Sequence, residues 1–207
     1  MTDATGPWIL HGHPMSGPTY KVQLLLSLAG IPVETHAVDL RAGEQRSETF
    51  RAKTPFLQVP VLEHAGRCIT QSASILEYVA AVTGRFGATD EADRAEIRAW
   101  MFWEFDRLGS TIARARTVRF GILKVAPETL DWFMSAGDTA LGLLEAHLAA
   151  HDWLALGRPT IADVDLYGVV ATAEEGGFDL GEKPAIRAWK ARIEALPGWA
   201  PAGSFAA

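Results

Sequence analysis

The chain has 207 residues, 48% of them hydrophobic and 21% charged, a balance that fits a folded protein and excludes a disordered one. With 19 Lys plus Arg against 25 Asp plus Glu, the net charge of −6 provides no counterion-release attraction to nucleic acid or to an anionic membrane surface, so neither is expected as a partner. The one cysteine, Cys68, excludes an intrachain disulfide and a cysteine-built zinc site.

Met1 to Pro7 carry no basic residue and no apolar stretch, so no secretory signal is read there. No run nears the ~20 apolar residues of a membrane-spanning helix. A cytoplasmic protein is therefore expected. From Trp8 to His11 a short apolar run, closed by His13 and Pro14, predicts a buried strand. Val22, Leu25, Leu26 and Ala29 then recur at helical spacing until Gly30, Ile31 and Pro32 stop the helix. Val33 to Leu40 is extended in character, and residues 43–52 predict at most a short surface helix. Thr54 to Leu62 predicts a turn feeding a strand that opens on Pro60, where the missing N–H costs little. Ala65 and Gly66 form a tight turn, Cys68 to Thr70 the returning strand, and Ser72 the N-cap of a helix from Ala73 to Thr83. The order βαβαββα is that of a thioredoxin-like domain, placed at residues 1–84.

After Gly84 to Asp90 every periodic segment is helical, and residues 89–207 are read as an all-helical bundle domain. Asp90, Glu91 and Asp93 suit the positive end of a helix that carries Ile97, Trp100, Met101, Glu104, Phe105 and Leu108. Leu130, Phe133, Leu141, Leu144 and Leu148 belong to a later one. Thr160 and Asp163 form a capping-box variant, and Pro184 opens a last helix through Ile186, Trp189 and Ile193.

In a thioredoxin-like domain the helix after the first strand points its free N–H groups at an anion or thiolate, so the loop before it is the place to look for chemistry. That loop has no Cys-x-x-Cys and offers hydroxyls instead: Ser16, with Thr19 and Tyr20 as alternatives. The plainest role for Ser16 is a helix cap. At Val59-Pro60 a cis bond would turn the Val59 N–H and C=O outward to pair with a peptide-like ligand; an ordinary trans proline at an edge strand is the competing reading. Gln71 and Ser72 suit the carboxylate and amine of an amino-acid end group, or are simply a loop amide and a cap. His11 and His13 alternate as if on one strand face, but no third metal ligand is near in sequence, and no metal is expected. Asp163 and Asp165 fit helix-start acids better than a catalytic pair. Trp100, Phe102, Trp103 and Phe105 wind around their helix, so some face away from the first helical layer; core packing is the plainest role for them, with an acceptor pocket or a dimer contact the competing reading. Arg107, Arg114, Arg116 and Arg119 form a solvated basic face that also suits an anionic second substrate.

Four stretches, 16–22, 54–62, 71–79 and 160–167, together resemble the cytosolic glutathione transferases, with serine-type bacterial members the nearest match and some zeta-like character. The resemblance covers essentially the whole chain. It implies that Val59, before a cis Pro60, pairs with the cysteinyl backbone of glutathione, that Gln71 and Ser72 hold its γ-glutamyl end, and that Gln45 lies near its glycyl end with Gln58 as a neighbour. Ser16 takes the place of the catalytic serine. Two departures stand out: Thr54-Pro55-Phe56-Leu57 replaces the family's Asn-Pro-x-Gly, and the Ser16-Gly17-Pro18-Thr19 segment differs from the zeta Ser-Ser-Cys run. The implied protein is a detoxifying homodimeric transferase that activates glutathione, its co-substrate, as a thiolate for attack on a small electrophile, with the second domain receiving that acceptor. Rival readings are a non-catalytic binding or interaction protein, a glutathione-dependent isomerase and a reductase using a protein thiol; Cys68, on the hairpin, speaks against the last.

Overall fold

The computed structural model describes residues 6–204. Strand β1 (Ile9–Gly12) leads to helix α1 (Gly17–Leu28), and β2 (Glu34–Ala37) leads through a 3-10 turn at Glu44–Arg46 to the single-turn helix α2 (Glu48–Arg51). The hairpin β3 (Val61–His64) and β4 (Arg67–Thr70) then feeds α3 (Ser72–Thr83). The strands form one four-stranded sheet in the order β2-β1-β3-β4, with β1 parallel to β2 and antiparallel to β3. This is the expected thioredoxin-like arrangement.

Period-2 alternation explains the two faces of the sheet. Leu10 and Leu62 are cross-strand partners and fully buried, as are Val22 and Leu24 to Leu26 of α1 and Ile75, Leu76 and Val79 of α3. His11 and Glu63 fall on the other face, where Val38, Phe50 and Val61 form a smaller apolar cluster with Leu40 and Val59 against it. Gly12 lets β1 end tight against α1, since a Cβ there would lie 2.2 Å from Thr19 Cγ2. The hairpin turns on Ala65 and Gly66 at φ 49° and 73°, the two left-handed residues of a type I′ loop.

The helical unit holds α4 (Glu91–Trp103), α5 (Ile112–Arg119), α6 (Pro127–Leu148), α7 (Ile161–Val170) and α8 (Pro184–Glu194). Asp90 caps α4 by accepting from Asp93 N at 2.9 Å. Helix α7 is buried along its whole length, its acids Asp163 and Asp165 included. The Thr160 and Asp163 capping box is present, and Asp163 Oδ1 also accepts from Leu154 N at 3.1 Å and from Trp189 Nε1 at 2.9 Å. Burial pushes the Asp163 carboxyl up, against the Trp189 hydrogen bond and the backbone donors that favour its charge.

Two features depart from the sequence reading. The helix begun at Glu91 breaks into a π-helical stretch at Glu104–Gly109, and α5 follows, an element whose arginine-rich sequence hid its helical period. Ser72 is the first residue of α3, and Gln71 takes the N-cap position with no side-chain cap bond. Asp163 takes the helix-start role expected of it and adds core hydrogen bonds to Leu154 and Trp189. Two compact units divide the described residues: Ala88–Ala195 form one, and the segment from Leu196 belongs with the residues up to Gly87 in the other. The physical cause is local: Tyr20 donates its hydroxyl to Ala200 O at 3.0 Å, and Ser27 Oγ donates to Gly198 O at 2.6 Å.

Candidate functional site

Strand register brings the candidate residues to one end of the sheet. His11 of β1 faces Val61 of β3, which faces Thr70 of β4, and Gly12 pairs with Ala37 of β2. The loop after β1 carries Ser16, the segment before β3 carries Gln58, Val59 and Pro60, and the turn after β4 carries Gln71 and Ser72. The chain leaving β2 carries Gln45. All four segments therefore start or finish at the same end of the sheet.

Ser16 is the N-cap of α1: its Oγ accepts from Thr19 N at 3.2 Å, which leaves its O–H free to donate. The alternatives are spoken for. Thr19 Oγ1 likewise accepts, from His13 N at 3.3 Å, but Thr19 is buried, and Tyr20 is buried with its hydroxyl donated to Ala200 O. Ser16 is the hydroxyl that remains, half-buried at the start of the helix.

The Val59-Pro60 bond is cis. The Val59 side chain packs on the Phe50 cluster, while its backbone N–H and C=O have no hydrogen-bond partner among the described residues. Pro60 is buried beneath it. At Leu57, where the family pattern has glycine, the turn still holds a left-handed φ of 54°, so the substitution has kept the turn at a cost of ~1–2 kcal/mol in backbone sterics.

Gln71 sits at φ 65° and ψ 120°, a backbone state rarely adopted by a residue with a side chain and one that clusters at ligand-binding positions. Its Nε2 donates to Gln58 Oε1 at 3.3 Å, so these two candidates are brought together. Ser72 is half-buried with no partner for its hydroxyl among the described residues, beside the free N–H groups of the first turn of α3. Gln45 lies in the 3-10 turn behind Gly43, whose φ is 78°. Its Oε1 is buried without a hydrogen-bond partner, an orphaned acceptor of the kind a ligand donor satisfies.

His11 and His13 do not form a pair, because β1 ends at Gly12. His11 Nε2 meets Glu63 Oε1 at 2.5 Å, and His13 Nδ1 accepts from Met15 N at 3.2 Å. Burial holds His11 below its ordinary range despite that carboxylate. Cys68 is exposed on β4 opposite Glu63, with its thiol pushed up first by partial burial and then by that carboxylate. The sequence reading missed Glu63 and Lys53, which form an ion pair; isolated charges on short segments gave no pattern to find them by.

The description "Glutathione S-transferase, N-terminal domain" matches residues 6–81, and "Glutathione S-transferase, C-terminal domain" matches residues 134–197. A solved structure of a possible glutathione S-transferase from Rhodopseudomonas palustris is 36% identical over 98% of this chain and 92% of that one, with a TM-score of 0.88. The chain belongs to the glutathione S-transferase family. Among curated relatives, glutathione S-transferase D7 of Anopheles gambiae is 28% identical over 87% of this chain and 83% of its own length. The disulfide-bond oxidoreductase YfcG of Escherichia coli (strain K12) is 24% identical, covering 86% of each. Glutathione is the co-substrate of this family, and the chain is an enzyme of the transferase class. No described helix of this glutathione transferase is long and apolar enough to cross a membrane, and the described residues hold no metal-ligating cluster of three or more.

Proposed function

We propose that the first unit binds glutathione at this shared end of the sheet and favours its thiolate for attack on a small electrophile. The observation that carries this reading is the convergence there of three kinds of unused hydrogen-bonding group: the Ser16 O–H, the Val59 backbone, and the Gln71-Ser72 helix start. Val59 N–H and C=O suit the cysteinyl peptide, as one added strand residue would. Ser72 O–H and the first N–H groups of α3 suit the γ-glutamyl carboxylate, and the Gln71 amide its ammonium. Gln45 Oε1 suits a donor toward the glycyl end, with Gln58 as a neighbour.

Ser16 then donates to the sulfur, aided by the N-terminal N–H groups of α1. Lowering a thiol pKa from ~8.5 by about two units takes ~2.7 kcal/mol, within the reach of one or two charge-assisted hydrogen bonds and a helix terminus. The helical unit supplies side chains for the electrophile. Phe102 and Phe105, 70% and 77% exposed in the single chain, give it an aromatic surface suited to a homodimer contact. Light scattering should then report about twice the 22.4 kDa chain mass. A serine-type transferase in the cytoplasm, with detoxification as its role, fits this chemistry.

Retention on immobilised glutathione together with conjugation of a chlorodinitrobenzene tests the function. Retention without conjugation would leave the binding-protein or isomerase alternative. The likeness to a disulfide-bond oxidoreductase supports a second reading, glutathione-dependent disulfide reduction. It would run through bound glutathione and not through Cys68, and turnover of a small disulfide at the expense of glutathione distinguishes it.

A further inference from the structure

The segment from Thr54 to Leu62 holds Gln58, Val59 and Pro60, and the residues on either side of it, Lys53 and Glu63, are joined. Lys53 Nζ pairs with Glu63 Oε1, and the same oxygen takes His11 Nε2 at 2.5 Å. The pair is about two-thirds shielded from solvent, each side chain being 30% exposed, and the His11 side chain is 11% exposed. One carboxylate therefore closes the neck of the loop and ties that neck to β1, the strand that leads to Ser16.

We propose that Glu63 is a positioning residue for glutathione binding: through Lys53 and His11 it clamps the neck of the 54–62 loop, so that the Val59 backbone and Gln58 are presented in a fixed place beside Ser16. The inference rests on the binding site proposed above. Each of its parts has a local physical reason. Glu63 is charged, because the Lys53 hydrogen bond and then that of His11 hold its carboxyl below the ordinary carboxylate range. His11 is neutral, since burial outweighs its carboxylate partner, and it serves as an Nε2–H donor. The net charge of the trio is then zero, which suits its partial burial.

Thr54 N donates to Phe50 O at 3.2 Å, Val59 packs on the Phe50 cluster, and Val61 and Leu62 belong to β3, but residues 55–58 between them have few other ties. Phe56 N donates to Thr54 Oγ1 at 3.2 Å, within the loop itself, and Gln58 meets Gln71 at the far end. Opening the neck returns conformational freedom to a segment that must be ordered each time glutathione binds, and that entropy is then charged against binding and not against the chemical step.

The test is steady-state kinetics of the full chain with glutathione and a chlorodinitrobenzene, for wild type, Lys53→Met, Lys53→Arg and Glu63→Gln, with calorimetric titration of glutathione as a second readout. Lys53→Met and Glu63→Gln should raise KM and Kd for glutathione roughly three- to tenfold, with kcat and the KM for the electrophile changed less than twofold. Lys53→Arg keeps the ion pair and should stay near wild type. A folded Lys53→Met chain with wild-type KM and Kd for glutathione overturns the clamp and leaves the site standing. A parallel fall in kcat, or an Arg variant as impaired as the Met variant, also overturns it. Wild type that does not bind glutathione removes both the site and the clamp.

Discussion

Gln71 donates its Nε2 to Gln58 Oε1 across 3.3 Å, linking the start of α3 to the loop before β3. The two residues come from different candidate motifs, and the bond leaves the Gln71 amide oxygen free to accept. A γ-glutamyl end group carries both an ammonium and a carboxylate, and Gln71 with Ser72 offers one partner for each.

Replacing both Gln71 and Ser72 with alanine should weaken glutathione binding by ~2 kcal/mol or more, the scale of lost hydrogen bonds to charged groups. Calorimetry on the folded double variant checks this. Unchanged affinity would move the γ-glutamyl end elsewhere.

Much of this arrangement could be read in the sequence, because local chemistry dictates it. Val22, Leu25 and Leu26 announce α1, Ala65-Gly66 can turn a two-residue hairpin, and Thr160 with Asp163 caps α7. The features that escaped depend on contacts distant in sequence. Tyr20 reads as a candidate hydroxyl until Ala200 O is seen to accept its hydrogen bond, 180 residues away. Gln71 as N-cap is a matter of one residue and of an unusual φ that composition does not reveal. The pairing of Lys53 with Glu63 spans only ten residues, yet two lone charges at the ends of a turn have no periodic signature. Leu57 is the reverse case: the missing glycine suggests an altered turn, and the fold holds the left-handed state regardless.

Asp163 organises the helical unit, since its two oxygens serve Thr160 N, Leu154 N and Trp189 Nε1. Asp163→Ala leaves three buried donors without an acceptor and should cost ~3 kcal/mol or more, against ~1 kcal/mol for Thr160→Ala, which loses a helix cap. Urea denaturation measures both. Equal losses would contradict the hub role of the carboxylate.

His147 of α6 lies between Trp100, at 4.5 Å between ring centroids, and His151, at 4.3 Å and nearly parallel. Burial first, and the neighbouring His151 second, hold its pKa below the ordinary 6.5, against the carbonyls of Trp153 and Leu154 and the charge of Glu96. The unfolded chain thus takes up a proton at His147 at a pH where the folded chain does not. The stability due to neutral His147 is fully present above pH 6.5 and is lost as the pH falls toward the folded value. His147→Gln should flatten the fall of unfolding free energy below pH 6.5, leaving the share due to His11, which is shifted in the same direction. Denaturation midpoints across that range read the slope, and an identical slope in the variant would refute the assignment.

Ser16 and the start of α1 are proposed to favour the thiolate of bound glutathione. Thiolate absorbance against pH, recorded on the glutathione complex of wild type and of Ser16→Ala, tests it most directly. Wild type should titrate about two units below the free thiol, and Ser16→Ala should move back toward ~8.5, with affinity near neutral pH changed only modestly. A wild-type complex that titrates like free glutathione, or a Ser16→Ala titration that overlays wild type, would contradict it.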